Sequence, residues 1–203
     1  SKYYVIMKKK IVITGGLGYI GTELCKLYSG VSWHHEIIVI DNRFFSERVN
    51  QIRNWNMKFI QGDILDKNLI KKYCKDANVV HHLAGITDVP RTKNESSLLQ
   101  DEKIKEVGEK GTQNILDVIS NDCKIIFPST HVVYEGINEV KINIKENEAT
   151  RPVLSYSQSK SINENQLKKS GKNYVILRLG SVYGYSADSM RIDIMPNLFS
   201  KIA

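Results

Sequence analysis

Short apolar runs alternate along this chain with longer stretches in which apolar residues recur at helical spacing. The runs rich in β-branched residues predict strands, and they are KKIVIT, EIIVIDN, MKFIQGD, ANVVHHLAG, CKIIFPST and NYVILRLGSVYG. The stretches with helical spacing are YIGTELCKLYS, ILDKNLIKKYCKD, KEVGEKGTQNILDVISN and YSQSKSINENQLKKS. The segment between the second and third strands is short and polar, and the pattern predicts no helix there.

The order of these elements predicts the fold class. Strands that alternate with helices form βαβ units, and the strands in such units are parallel. The strands are nearly continuous apolar runs, as expected when helices cover both faces of a sheet. We therefore expect a doubly wound α/β domain of the Rossmann type over residues 7–185, with about six or seven parallel strands.

Composition and charge exclude several classes of protein. The hydrophobic fraction of 41% and the charged fraction of 25% are typical of a globular domain. No apolar run approaches the roughly 20 residues that cross a bilayer, so we expect no membrane association and a cytoplasmic location. The net charge of +7 comes from lysines spread along the chain, which does not indicate nucleic-acid binding. The cysteines form no CxxC pair and the histidines lack ligand spacing, so no metal site is expected.

The first predicted strand leads directly into TGGLGYIG, a candidate phosphate-binding loop. Gly15, Gly18 and Gly21 have the spacing G-x-x-G-x-x-G. In a dinucleotide site, Gly15 would make the tight turn after the strand, and Gly18 would let the backbone approach a pyrophosphate. Gly21 would let the helix pack closely on the sheet. The N-terminus of that helix would offer free N–H groups to the phosphates.

Asp41 closes the second strand about 20 residues farther on, where dinucleotide-binding folds place an acidic residue. Its carboxylate can accept hydrogen bonds from the adenosine ribose and would repel the 2′-phosphate of NADP. The position therefore favours NAD. The neighbouring Arg43 could hold a phosphate, so NADP stays the less favoured alternative.

The stretch YSQSK places Tyr156 and Lys160 on one face of a helix. A phenol has an ordinary pKa of about 10, which makes it a poor base at neutral pH. A nearby ammonium and an oxidised nicotinamide would both favour the phenolate and lower that pKa. Tyr156 could then take a hydroxyl proton while a hydride leaves for the cofactor. In isolation the pair is typical of an exposed helix, but the glycine loop upstream favours the catalytic interpretation.

Hydroxyl groups close the fifth strand. Ser129 and Thr130 lie at the carboxyl end of that strand, where open α/β sheets bind their ligands. Such a hydroxyl could hydrogen-bond the substrate oxygen that becomes a carbonyl. The alternative is a strand-end hydroxyl that caps a turn.

Several ordered motifs together carry a family resemblance: TGGLGYIG, IDN, GDI, HHLAG, GTQN, STHVVY, YSQSK and RLGSVYG. From about Lys9 to Gly184 the chain resembles the extended short-chain dehydrogenase/reductases, in particular the NAD-dependent nucleotide-sugar epimerases and dehydratases. The resemblance implies NAD as cofactor and a nucleotide sugar as substrate, with 4-epimerisation the simplest reaction. A reductase or dehydrogenase with net use of NAD(P)H, a dehydratase and a non-catalytic dinucleotide-binding sensor are the alternatives.

The resemblance also implies residue roles. Thr130, Tyr156 and Lys160 would be catalytic, with Thr130 preferred over Ser129 because it lies four residues before the tyrosine of VVY. Thr130 and Ser181 would border the substrate. The residues expected to bind the cofactor are Gly15, Gly18, Tyr19, Ile20, Gly21, Asp41, Asn42, Asp63, Ile64, Leu83, Ala84, Gly85, Tyr156 and Lys160.

Departures from the family pattern qualify the substrate. Gly108 replaces an asparagine that family members often carry. His131 and Val132 stand where sugar-nucleotide dehydratases have carboxylates, which disfavours a dehydratase although His131 could substitute. Ser181 and Tyr185 also depart from the pattern, on the substrate side. Family members usually continue for about another hundred residues, so the resemblance implies a fragment in which residues 186–203 begin a truncated C-terminal substrate-binding region. Helices at 104–120 and 156–170 are candidates for a homodimer bundle.

Overall fold

A computed structural model describes residues 7–87 and 98–186, which contain a six-stranded parallel sheet of order β3-β2-β1-β4-β5-β6. The strands are β1 (Lys10–Thr14), β2 (Glu36–Asp41), β3 (Lys58–Gln61), β4 (Val79–His82), β5 (Lys124–Thr130) and β6 (Asn173–Leu179). The helices are α1 (Tyr19–Ser29), α2 (Ser46–Asn54), α3 (Lys67–Cys74), α4 (Leu98–Leu116) and α5 (Ser155–Lys169). The doubly wound fold is therefore confirmed, with its topological switch point between β1 and β4.

Apolar residues of the central strands pack on both faces of the sheet. Along β1, Ile11 and Ile13 belong to one hydrophobic cluster and Val12 to another, because successive strand residues face opposite sides. The first cluster includes Cys25 of α1 and Ile52 of α2. The second includes residues of the other three helices, Ile70, Ile115 and Leu167. Burial on both faces explains why these strands are continuous apolar runs.

The structure corrects the predicted elements in three places. Helix α2 occupies the polar segment for which no helix was predicted. Its mean hydropathy is low, but Val49 and Ile52 are three residues apart and both are buried against the sheet. Helix α4 begins at Leu98, before the predicted start at Lys105. Strand β6 ends at Leu179, whose pairing with Thr130 is the last in the register, so GSVYG is not part of the strand.

Helices α4 and α5 pack tightly at the position of Gly108. A Cβ built on Gly108 would lie 2.4 Å from Oγ of Ser159, so a side chain there would collide with α5. Asn163 donates to the carbonyl of Gly108 at 2.9 Å, and Gln166 donates to that of Glu109 at 2.9 Å. A side chain at position 108 would therefore require Ser159 to move. A homodimer through these two helices stays a prediction.

Several expectations concern residues or properties outside this description. All of the predicted C-terminal region except residue 186 lies outside the described residues. In the part of the chain that the structure covers, no helix has the length and hydropathy needed to cross a bilayer.

Cys25, Cys74 and Cys123 are buried free thiols, and burial raises the pKa of Cys25 to about 12.

Candidate active site

A large cavity, lined by described residues, runs along the carboxyl ends of the strands from the glycine loop to α5. Its volume is about 1330 Å³. The structure brings together every residue that the sequence assigned to cofactor, substrate or catalysis, and all of them line this cavity: Gly15, Gly18, Tyr19, Ile20, Gly21, Asp41, Asn42, Asp63, Ile64, Leu83, Ala84, Gly85, Thr130, Tyr156, Lys160 and Ser181. Convergence of these distant segments on one cavity is the main outcome of the fold.

The glycine loop has the close backbone contacts that its spacing indicates. Gly15 has φ of +70°, and a Cβ there would lie 2.7 Å from the backbone nitrogen of Ala84. A Cβ on Gly21 would lie 2.4 Å from the carbonyl oxygen of Gly15. The close contact at Gly21 is therefore between α1 and the glycine loop, whereas the sequence predicted a contact between α1 and the sheet. At Gly18 the nearest backbone atom to such a Cβ is farther away, at 3.2 Å, and this residue faces the cavity. Side chains at these glycines would fill or distort a cradle that fits a pyrophosphate.

Asp41 joins the end of β2 to the glycine loop. Its Oδ2 accepts from the backbone nitrogen of Leu17 at 3.0 Å, and its Oδ1 accepts from that of Arg43 at 3.0 Å. The Arg43 Nε atom lies 3.5 Å from the same Oδ1. Arg48 of α2 donates to the carbonyl of Leu17 at 2.7 Å and also lines the cavity. The end of the cavity beside the glycine loop therefore combines one fixed carboxylate with cationic side chains.

The segment that follows β3 is held against α4. Asn114, the asparagine of GTQN, donates to the carbonyls of Ile64 at 3.0 Å and Leu65 at 3.2 Å. Asp63 accepts from the backbone nitrogen of Leu65 at 2.9 Å. A Cβ on Gly111 would lie 2.3 Å from Cδ1 of Ile64, so α4 can approach this segment only with glycine there. These contacts place Asp63 and Ile64 on the cavity wall.

His82 connects β1 to α4 through hydrogen bonds near the centre of the site. Its Nδ1 lies 2.9 Å from Oγ1 of Thr14 on β1, and its Nε2 lies 3.0 Å from Oγ1 of Thr112 on α4. Burial, with a smaller contribution from the charge of Lys160, lowers the pKa of His82 to about 3. The imidazole is therefore neutral at physiological pH. It fixes the strand end from which Leu83 and Ala84 reach the cavity.

Lys160 is the buried cation of the site. Its Nζ donates to the carbonyl oxygen of Pro128 at 2.9 Å and lies 5.7 Å from the ring centre of Tyr156. The same atom lies 4.5 Å from the ring centre of Phe127. Burial disfavours the charged form and lowers the pKa of Lys160 to about 8. The two residues of YSQSK are thus neighbours on the cavity wall.

The two hydroxyls at the end of β5 have different surroundings. Ser129 donates its hydroxyl to Oε1 of the buried Glu164 at 2.6 Å. Thr130 accepts from the backbone nitrogen of Val132 at 3.3 Å through its Oγ1. Among the described residues no acceptor is found for the hydroxyl hydrogen of Thr130. This geometry favours Thr130 over Ser129 as the hydroxyl available to a ligand.

A buried ion pair supports this strand end. Arg178 of β6 donates to both carboxylate oxygens of Glu164, from Nε at 2.9 Å and from Nη2 at 2.7 Å. Burial would raise the pKa of Glu164, but the bonds from Arg178 and Ser129 outweigh it and hold that pKa below its ordinary value. Arg178 also donates to the hydroxyl of Tyr134. The pair thereby links β5, β6 and α5 around Ser129.

Sequence reasoning missed further cavity residues, among them Arg48, Lys103, Val107 and Glu135. Arg48 lies on the helix that was not predicted, and Lys103 lies in the first turns of α4, before its predicted start. A sequence criterion that accepts a helix with only two buried apolar residues would have predicted α2 and thereby placed Arg48 on a helix. No local pattern marks Glu135, because its partners Val153 and Leu154 are 18 and 19 residues away.

Comparison with known proteins gives relatives with different reactions. The chain is 30% identical over 197 residues to the dTDP-D-glucose 4,6-dehydratase of Dictyostelium discoideum, covering 87% of this chain and 44% of that protein. It is 34% identical over 130 residues to the UDP-N-acetyl-alpha-D-glucosaminuronate decarboxylase of Bacillus cytotoxicus, covering 63% and 38%. The solved structure of UDP-glucuronic acid 4-epimerase from Bacillus cereus, in complex with UDP-glucuronic acid and NAD, matches with a TM-score of 0.73. That match has 25% identity and covers 93% of this chain and 60% of that one.

The family itself is established over nearly the whole sequence. The chain spans about half the length of the curated relatives that it matches, from 38% to 53%. The sequence pattern of the NAD dependent epimerase/dehydratase family matches residues 11–203. The residues that line the cavity fit NAD, the cofactor present in the matching 4-epimerase structure. This chain belongs to the NAD-dependent epimerase/dehydratase family, whose members are enzymes.

Proposed function

We propose that this chain is the cofactor-binding and catalytic half of a nucleotide-sugar 4-epimerase. The observation that carries the proposal is the placement of Thr130, Tyr156 and Lys160 on one cavity with the glycine loop. The matching Bacillus cereus structure is named as a 4-epimerase, which supports this reaction. Substrate residues beyond Thr130 and Ser181 would come from elsewhere in the whole protein.

The proposed chemistry assigns one role to each side chain. Tyr156 takes the proton of the sugar 4-hydroxyl and later returns it to the 4-oxygen. Thr130 donates its hydroxyl hydrogen to that oxygen in both halves of the reaction. Lys160 stabilises the phenolate of Tyr156 by its charge and holds the cofactor ribose. NAD, when bound, supplies the hydride acceptor and donor, so it is not consumed overall.

Dehydration is the second candidate, because His131 lines the cavity directly after Thr130. Its Nδ1 lies 3.1 Å from the carbonyl oxygen of Leu179, an acceptor, so Nδ1 carries the hydrogen. The Nε2 atom of a neutral His131 is then a proton acceptor. Val132 offers no second proton-transfer group, whereas elimination of water needs both an acid and a base. This disfavours dehydration relative to epimerisation.

A panel of nucleotide sugars separates these functions. The whole protein is incubated with NAD and each sugar, and the absorbance of reduced nicotinamide is followed while products are identified by mass and NMR. A new sugar of unchanged mass without net absorbance change supports the 4-epimerase. Net reduction indicates a dehydrogenase, and loss of water indicates a dehydratase. Binding of NAD by calorimetry with no conversion of any sugar would support the sensor and overturn the proposal.

A further inference from the structure

Helix α5, which carries Tyr156 and Lys160, has no cap from its own N-terminal residue. Leu154 occupies the N-cap position, and its side chain makes no capping hydrogen bond. The first N–H groups of a helix lack partners inside the helix and are usually satisfied by a capping side chain. A side chain from another segment performs this task for α5.

That side chain is Glu135. Its Oε1 accepts from the backbone nitrogens of Val153 and Leu154, both at 2.7 Å, and from the hydroxyl of Ser157. One carboxylate oxygen therefore holds three donors on the entry and first turn of α5. A carboxylate at this end of a helix is also favoured by the helix dipole. Burial alone would raise the pKa of Glu135, but these hydrogen bonds outweigh it and lower that pKa.

Glu135 belongs to the segment that carries Thr130. A short 3-10 helix, His131–Tyr134, follows Thr130 directly, and Glu135 is the residue after it. The backbone nitrogen of Arg151 donates to the carbonyl of Val133 at 2.8 Å, which joins this segment to the approach to α5. Glu135 also lines the same cavity as Thr130 and Tyr156. Its bonds thus join the segment that carries Thr130 to the first turn of α5, which carries Tyr156.

We propose that Glu135 is a positioning residue, which fixes the first turn of α5 so that the Tyr156 phenol and the Thr130 hydroxyl reach the same substrate oxygen. The inference rests on the proposed role of Tyr156 as acid/base. Glu135 acts through the geometry of the accepting oxygen, and its negative charge is not required. An amide oxygen in the same place should therefore serve, whereas a methyl group should not.

The test compares Glu135→Ala with Glu135→Gln in the whole protein. A misplacement of about 1 Å can cost on the order of a hundredfold in rate, so we expect the alanine variant to lose at least about tenfold in kcat. Its KM and its NAD affinity by calorimetry should stay within about twofold of the parent, because the substitution removes no contact to the substrate or to NAD. The glutamine variant should keep kcat within about threefold. Glu139→Ala, which removes an exposed carboxylate of the loop that follows the 3-10 helix, is the matched control and should leave kcat unchanged.

Three results would overturn the inference. They are full kcat in the alanine variant, a glutamine variant as slow as the alanine variant, and an NAD affinity that falls in parallel with kcat. If the parent converts no sugar, the proposed function fails first, and the pH at which the Tyr156 phenol ionises decides the inference instead. That pH is measured by difference absorbance against Tyr156→Phe. It should be higher in Glu135→Ala than in Glu135→Gln, because both variants lack the carboxylate charge and only the alanine lets the phenol move away from Lys160. Equal behaviour of the two variants would contradict the positioning role.

Discussion

The ammonium of Lys160 donates a hydrogen bond to the carbonyl oxygen of Pro128, 2.9 Å away, and this bond ties α5 to the carboxyl end of β5. The strand end concerned also carries Ser129 and Thr130. Desolvation of the lysine in the cavity wall lowers its pKa to about 8, from an ordinary value of 10.5. The charge of Lys160 therefore lowers the stability of the folded chain, but it lies next to Tyr156 in the candidate site.

Lys160→Met should relieve this cost in a pH-dependent way. In the parent, the folded lysine loses its proton near pH 8 and the unfolded lysine near 10.5, so the stability of the parent rises with pH between these values. The variant lacks this rise. Its free energy of unfolding relative to the parent should thus fall by about 2 kcal/mol between about pH 8 and pH 9.5. Chemical denaturation of both proteins measures the difference, and a constant difference over that range would contradict the assigned burial.

Gly108→Ala tests the close contact between α4 and α5. The added methyl would lie 2.4 Å from Oγ of Ser159, so we expect a loss of about 1–3 kcal/mol in the free energy of unfolding. In the Ser159→Ala background the obstructing oxygen is absent, and alanine is the better helix former by about 1 kcal/mol. The same change should there be neutral or stabilising. Denaturation of the four proteins of this cycle gives the coupling, and additive effects would show that the contact is not the cause.

Arg178→Met tests the buried ion pair with Glu164. The change leaves a carboxylate that is 2% exposed with only Ser129 and the half-exposed Lys168, whose Nζ lies 3.4 Å from Oε2, so a loss of about 3 kcal/mol in the free energy of unfolding is expected. Arg178→Met with Glu164→Gln should recover part of that loss, because no buried charge is left. If the double variant is no more stable than Arg178→Met, an unpaired charge does not explain the loss.

The same pair should make stability sensitive to acid. The pKa of Glu164 is held below its ordinary value of 4.5 in the folded chain, so its contribution is complete above that pH. The contribution is lost as the pH falls through the lower folded value. The stability advantage of the parent over Glu164→Gln should therefore shrink on acidification below about pH 4.5. An advantage that grows on acidification would have the wrong sign.

Asp41→Ser should change the cofactor preference. It removes the carboxylate that would repel a 2′-phosphate and leaves Arg43 and Arg48 on the same wall. We expect the ratio of NADP to NAD affinity to rise by at least about tenfold, as one charge contact is worth about 1.4 kcal/mol or more. Calorimetry at fixed salt measures both affinities. Adding Arg43→Ser should reverse most of the gain, and an unchanged ratio in Asp41→Ser would assign the preference to other residues.

The predictable part of the molecule came from local patterns. The glycine spacing, the acidic strand end and the YSQSK pair each lie within one segment, and Rossmann topology places such segments on one cavity. Glu135 and Arg178 were not predictable in this way, since their partners are set by packing between distant segments. Helix α2 was missed because two buried residues, Val49 and Ile52, suffice to dock it. Gly108 has a packing reason that only the neighbouring helix reveals.

The measurement that bears most directly on the central claim is conversion of a nucleotide sugar by Tyr156→Phe in the whole protein, with NAD affinity determined on the same sample. Removing one phenol oxygen should leave the NAD dissociation constant within about twofold, because the glycine loop and Asp41 are intact. Conversion should fall by roughly a hundredfold to ten-thousandfold, the usual contribution of a general acid/base. Conversion near the parental rate would contradict the assignment of Tyr156.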